Sequence, residues 1–340
     1  MSTHISDVLV IVPTYRRPEF LAAALRSVLS QSGATKQIIV VDDCPDGSAR
    51  EVVTSIDPGI IYLKNPQPSG GWPAKVRNYG FETSLARGIR SRFVHFLDDD
   101  DTVPDGHYEH VKQAFAAHPN AGVMFGVLKP FAEFSENWER RRRQEAQLTQ
   151  KRKVFLHAAR VAWIYHHIGA TLKLGRLRRW LYRSHAIVGD HLFLCSGAMI
   201  RHEHVVALGG FNPNIRITED YEFFTRAILA HGAHFLGRVS ANYRVGSVDS
   251  LWNPLELSQQ GQLDHFDEAQ RFLTARYLRL QSDIGVVKFK ATRFAFERIS
   301  WLLDTLVIPV LDHFELATFR RDPARRTAPI ALGDFRHDEP

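Results

Sequence analysis

Residues 7–43 read "DVLVIVPTYRRPEFLAAALRSVLSQSGATKQIIVVDD", and their alternation of periods decides the fold class. "DVLVIVP" (7–13) is a short β-branched run that stops at a proline, the pattern of a strand buried on both faces of a parallel sheet. "PEFLAAALRSVLSQ" (18–31) then predicts a helix, with Pro18 at a first helical position, apolar residues at helical spacing and Gly33 just past the end. "KQIIVVDD" (36–43) returns to a strand. The same rhythm continues: a helix over 46–56, a strand over 59–65, a helix over 71–89 and a strand over 92–98. Strand–helix alternation of this kind predicts an α/β protein, a mostly parallel sheet flanked by helices.

In such sheets ligands bind beyond the carboxyl ends of the strands. The loops after the first, second and fourth strands read "PTYRR", "DDCPDGS" and "DDDDTVPDG", and they hold the polar and acidic residues of the region. Four consecutive aspartates, Asp98–Asp101, repel one another and call either for open solvent or for a positive partner. On its own the run reads as a solvated turn, since Asp favours turns. Spaced D-x-D, however, Asp98 and Asp100 offer hard oxygens to a divalent cation such as Mg2+ or Mn2+, with Asp99 and Asp101 supporting the turn.

Three further motifs turn the reading toward a ligand site. "VVDD" (40–43) puts Asp42 and Asp43 at a strand end, where a carboxylate accepts hydrogen bonds from a base or ribose; it can equally cap the next helix. "SGGWPAKVRNYG" (69–80) has two glycines that let backbone approach a ligand, with Lys75 and Arg77 offering charge near phosphates or simply lying on the surface of a helix. "ITEDYEFFTRA" (217–227) opens a helix with Glu219 and Asp220, which serve either as a charged cap or as a general base beside the site.

Taken in order, "VLVIVPTYRRPEFLAAALRSVLSQ", "IIVVDDCPDGS", "GWPAKVRNYG", "FLDDDD", "GGFN" and "TEDYEFFTR" resemble the family 2 glycosyltransferases of the GT-A fold, over roughly residues 7 to 245. The resemblance implies transfer of a sugar from a nucleotide-diphosphate donor to an acceptor hydroxyl, with inversion, in cell-surface polysaccharide or glycolipid synthesis. It implies a nucleotide-sugar loop at Pro13, Thr14, Tyr15 and Arg16, and base contacts from Asp42 or Asp43. Lys75, Arg77, Asp98, Asp99 and Glu219 complete the donor site, Asp100 with Asp98 holds Mn2+ or Mg2+, and Asp220 is the catalytic base. Two departures stand out. Arg16 replaces the Asn common after Thr-Tyr, and "YRVG" (243–246) lacks a histidine that relatives carry after Tyr-Arg, leaving water or the donor pyrophosphate to complete the metal shell. Two other readings remain: a metal-dependent nucleotidyltransferase, which would not call for the Glu–Asp helix start, and a non-catalytic nucleotide-sugar-binding protein.

The 340 residues carry a net charge of +6, concentrated in one region. Residues 139–183 hold 13 Lys/Arg against two Glu, about +11, which leaves the remainder near −5. With Trp163, Tyr165, Trp180 and Tyr182 interleaved, this segment reads as a helical insertion (about 135–188) in a domain spanning 1–245, either lying on an anionic membrane surface beside a lipid-linked acceptor or packed on the body. No nucleic-acid-binding module accompanies the charge. Residues 246–340 read as a helical extension and tail that closes over the acceptor, packs on the sheet or mediates dimerisation. His166, His167, His202, His204, His231 and His234 read as plain polar surface residues. The absence of an 18-residue apolar run or signal-peptide pattern, together with only two cysteines, points to a cytoplasmic protein, and the basic segment to peripheral contact with the inner face of the membrane. Neither the donor, the acceptor nor the oligomeric state is legible.

Overall fold

The computed structural model describes residues 5–170, 172–188, 192–246 and 286–307. A seven-stranded sheet runs in the order β3-β2-β1-β4-β6-β5-β7. Its strands are β1 (Ser6–Thr14), β2 (Lys36–Asp42), β3 (Ile61–Lys64), β4 (Ser91–Phe96), β5 (Val123–Phe131), β6 (Ala198–Arg201) and β7 (Ala233–Arg244). The first four strands are mutually parallel, and β5 pairs parallel with β7. Only β6 runs against its neighbours, β4 and β5. The mostly parallel sheet expected from the sequence is therefore present.

The two-sided burial of β1 follows from its alternation. Val8, Val10 and Val12 point into one core with Leu21, Leu25 and Val28 of α1 (Pro18–Leu29). Val111 and Phe115 of α4 (His107–Ala117), a helix beyond those expected from the sequence, complete that layer. Leu9 and Ile11 point the other way, into a core with Ala74, Val76 and Phe81 of α3 (Pro73–Ala86) and Phe223 of α8 (Glu219–His231). Each such side chain, fully withdrawn from water, stabilises the fold by about 1.5–3 kcal/mol. Helix α3 lies so close to the sheet that a methyl group at Gly80 would stand 2.8 Å from Val41 and 2.9 Å from Ile11. Helices α2 (Arg50–Ile56) and α7 (His202–Leu208) are short connectors.

The basic segment folds as α5 (Trp138–Ala170) and α6 (Gly175–Val188). Its aromatics do not form an exposed stripe. Tyr165 and Tyr182 are buried in the core, and Trp163 and Trp180 pack against it. The surface-lying helix therefore reduces to a corner where Leu172, Leu174 and Leu177 are exposed beside Lys173, Arg176 and Arg179. Helix α9 (Val286–Leu302) leads into a π-helical turn at Leu303–Val307. It rests on α6, with the ring of Phe296 5.3 Å from His185. The rest of the expected helical extension, 247–285 and 308–340, lies outside the described residues.

The histidines also differ from expectation. His202 and His234 are buried, because the short helix α7 and strand β7 pack them inward. His202 shares a 2.9 Å hydrogen bond with Ser91, and the ring of His234 stacks on His118 at 3.7 Å.

Candidate active site

The chain leaves β1 toward β2 and β3 on one side and returns to β4 on the other, so a crevice opens between the carboxyl ends of β1 and β4. Pro13 and Thr14 end β1 on one lip. The Thr14 hydroxyl donates to Asp99 Oδ2 at 2.7 Å and ties the two lips together. Tyr15 packs on the loop that carries Gly71, where a Cβ would meet its ring at 3.1 Å. Arg16 adopts a left-handed backbone (φ 58°), its N–H meets Cys44 Sγ at 2.9 Å, and its guanidinium turns out over the Tyr15 ring.

Burial divides the acidic run by parity. Asp99 and Asp101 are 5% and 1% exposed, while Asp98 and Asp100 remain half-buried at the crevice. Asp101 Oδ1 accepts the Arg244 backbone N–H at 2.9 Å, and its Oδ2 is buried with no protein partner among the described residues. Thr102 pairs with Asn242 in an isolated antiparallel bridge, which stitches the loop to the end of β7. Arg244, held between the rings of Phe20 and Phe131, donates from Nε to the Asp100 carbonyl at 3.1 Å. The positive partners of the run are arginines. Arg17 Nη1 lies 3.0 Å from Asp100 and 3.4 Å from Asp99, and Arg77 Nη2 lies 2.6 Å from Asp98. Burial, then the neighbouring Asp100 charge, pushes Asp99 up to about 7, against the pull of Arg17 and Thr14.

Asp42 and Asp43 are both fully buried. Asp42 accepts the Cys44 and Ala49 N–H groups and the Tyr62 hydroxyl, so it shapes the turn into α2. Asp43 accepts Asn65 Nδ2, the Ser69 N–H and hydroxyl, and the Gly71 N–H at 2.6 Å. As this loop stands, neither carboxylate faces solvent. Lys75 is exposed and stacks over Trp72 at 4.0 Å, whose indole N–H donates to the Ile215 carbonyl.

Arg77 joins the two halves of the crevice. Besides Asp98 it binds Glu219 Oε1 at 2.5 Å, bringing the first turn of α8 against the acidic run. Burial raises Glu219 to about 7, with the Arg77 cation pulling the other way. Asp220, next along the helix, stays half-buried and accepts the N–H groups of Cys195 (3.3 Å) and Tyr221 (2.8 Å). The Cys195 donor belongs to a 3-10 turn, Cys195–Gly197, directly before β6. The same turn gives Ser196 Oγ to the Asp98 N–H at 3.1 Å.

Sequence reasoning missed three members of this neighbourhood. Arg17 was hidden beside Arg16, whose left-handed backbone turns it outward. Tyr243 was singled out only for its missing histidine neighbour. Its hydroxyl is pushed up by burial and then by the charges of Asp101, Asp100, Asp98 and Asp220. Lys151 of α5 was one charge among thirteen. Burial lowers its ammonium and the Asp220 charge opposes that, while its Nζ sits over the Phe155 and Tyr243 rings.

Asp98 and Asp100 present hard oxygens with side chains 31% and 14% exposed. Among the described residues no group of three or more His, Cys, Asp or Glu forms a complete protein cage for a metal. A magnesium-type ion uses one or two protein carboxylates and takes its other ligands from water and phosphate. The pair fits such an ion arriving with a diphosphate.

The fold defines an α/β protein with a crevice at the carboxyl ends of its parallel strands, and comparison with known proteins gives its family. The chain belongs to glycosyl transferase family 2, whose model matches residues 9–178. It is 32% identical over 133 residues to the minor teichoic acid biosynthesis protein GgaB of Bacillus subtilis, a match covering 37% of this chain and 14% of GgaB. It is 33% identical over 121 residues to the succinoglycan biosynthesis protein ExoO of Rhizobium meliloti, covering 35% of this chain and 33% of ExoO. The matched segment thus spans only a minor part of either relative. Among solved structures, S. aureus TarS 1–349 in complex with UDP superposes with a TM-score of 0.50 at 15% identity, covering 88% of this chain and 75% of TarS. The fold is GT-A. No described helix is long and apolar enough to cross a membrane.

Proposed function

We propose that this chain is a metal-dependent inverting glycosyltransferase that moves a sugar from a nucleotide-diphosphate donor to an acceptor hydroxyl in polysaccharide or glycolipid synthesis. The observation that carries the reading is the Arg77 bridge between Asp98 and Glu219, which places the D-x-D loop and the Asp220 helix start in one crevice. Family membership supports the reaction class, as do the names of its relatives.

In this reading Asp220 accepts the proton of the attacking hydroxyl. Its two backbone donors hold the carboxylate in place beside the crevice. Holding donor and acceptor in line supplies much of the remaining acceleration. Arg77 and Glu219 fix the helix start from behind. Asp98 and Asp100 would hold Mn2+ or Mg2+, which would neutralise charge on the departing diphosphate. Base recognition falls to the loop that Asp43 organises and to Tyr15. The domain would end near residue 245, with α5 and α6 as its basic insertion. The exposed corner at Leu172–Leu177 would rest on an anionic membrane and face a lipid-linked acceptor.

A panel of nucleotide sugars with Mn2+ tests the reading by thermal shift. A cognate donor at 100 times its dissociation constant stabilises by about 2.7 kcal/mol. Stabilisation by none of the nucleotide diphosphates or their sugars would remove the donor site.

A further inference from the structure

The acidic run needs positive charge, and Arg17 supplies it at the position where the proposed cation would sit. Arg17 stands at the start of α1, its Nη1 3.0 Å from Asp100 Oδ2 and 3.4 Å from Asp99 Oδ1. Its side chain is 15% exposed, close to the 14% of Asp100, so the pair lies at the crevice wall, within reach of solvent. Asp99 is anchored separately by the Thr14 hydroxyl. The backbone of Asp100 is anchored separately too, by Arg244 Nε on its carbonyl. The Asp100 carboxylate can therefore change partner without the loop being rebuilt. A guanidinium and a divalent ion compete for the same oxygens, since each is bound by direct contact with a carboxylate.

We propose that Arg17 is the exchangeable counter-ion of Asp100. It holds the carboxylate in the donor-free protein, yields it to the divalent cation, and so weakens binding of the cation alone. The cation then binds well only when a diphosphate supplies further ligands. This inference rests on the reading that Asp100 takes a divalent cation.

Titration of MnCl2 alone into the full chain, followed by the electron paramagnetic resonance signal of free Mn2+, tests it. Wild type, Arg17→Met, Arg17→Lys and Asp100→Asn are compared, each checked for folding by circular dichroism. Arg17→Met should bind Mn2+ about tenfold more tightly than wild type, since a partly buried ion pair no longer has to be broken first. Arg17→Lys, which keeps the charge but not the planar fork, should fall between them, and it carries the test if the methionine variant does not fold. Equal or weaker Mn2+ binding in the Arg17 variants, with binding still dependent on Asp100, overturns the proposal and leaves the metal site standing. Mn2+ affinity that is indifferent to Asp100→Asn overturns the metal site itself, and the proposal with it.

Discussion

Replacing Arg77 with methionine should destabilise the protein strongly at pH 8 and weakly at pH 5. The guanidinium is 4% exposed and bonds Glu219, itself 8% exposed, at 2.5 Å. Removing one partner of a buried pair costs about 3–5 kcal/mol, because the other charge is left without compensation. Glu219 can escape that cost by taking a proton. Burial already raises it to about 7, and losing Arg77 removes the main influence holding it down. At pH 8 the variant must either bury an unpaired carboxylate or protonate it against the bulk, so the loss is near its full size. At pH 5 Glu219 is neutral with or without Arg77, and the loss shrinks to about 1 kcal/mol, the scale of a neutral hydrogen bond. Asp98 adds little, being 31% exposed. Thermal denaturation of both proteins at the two pH values measures the difference. The double variant Arg77→Met, Glu219→Gln should recover much of the pH 8 loss. An equal loss at both pH values, with no recovery in the double variant, would refute the bridge as an electrostatic device.

Acid should unfold the protein partly through its buried histidines. Burial holds His95 at about 4 and His234 at about 3, the latter helped by His118, His166 and Arg178 around it. The unfolded chain takes these protons near 6.5 and the folded chain does not. Their contribution is thus complete above pH 6.5 and falls, by up to about 1.4 kcal/mol per pH unit for each, as pH drops toward 4. Asp99 and Glu219, both raised to about 7, act in the opposite direction over part of this range. The stability difference between wild type and His234→Asn, measured across pH 4–7, isolates the histidine; a difference independent of pH would contradict the assignment. Vesicles containing anionic lipid should retain the protein, and Leu174→Glu with Leu177→Glu should release it at unchanged donor binding. Retention by neutral vesicles alone, or no effect of the pair, would count against the membrane-facing corner.

The N-terminal half of the fold was legible because its strands are buried on both faces and its helices carry a proline start or glycine stop. Helix α4 left a signal that went unused, Tyr108, Val111 and Phe115 falling on one face. The apolar composition of 192–201 does not reveal that Cys195–Gly197 turns aside to serve Asp220 and Asp98. The motifs placed the crevice correctly along the chain, yet partnerships inside it depend on direction. Nothing in "YRR" distinguishes Arg16 from Arg17; a left-handed backbone at Arg16 does. Likewise "VVDD" names two carboxylates at a strand end, and only the folded loop shows that both are buried and bonded to backbone. Lys151 reaches the site because α5 packs its apolar face on the sheet, a consequence of tertiary packing that local spacing does not encode.

The central claim is that Asp220 is the base of a sugar transfer reaction, and one variant addresses it directly. Asp220→Asn removes the basic oxygen while preserving the shape of the side chain, and its one remaining acceptor can keep only one of the Cys195 and Tyr221 N–H bonds. With a donor identified by thermal shift, the account predicts that the variant binds that donor as wild type does and transfers sugar at least about a hundredfold more slowly, the lower range for losing a positioned general base. Transfer at the wild-type rate would contradict it.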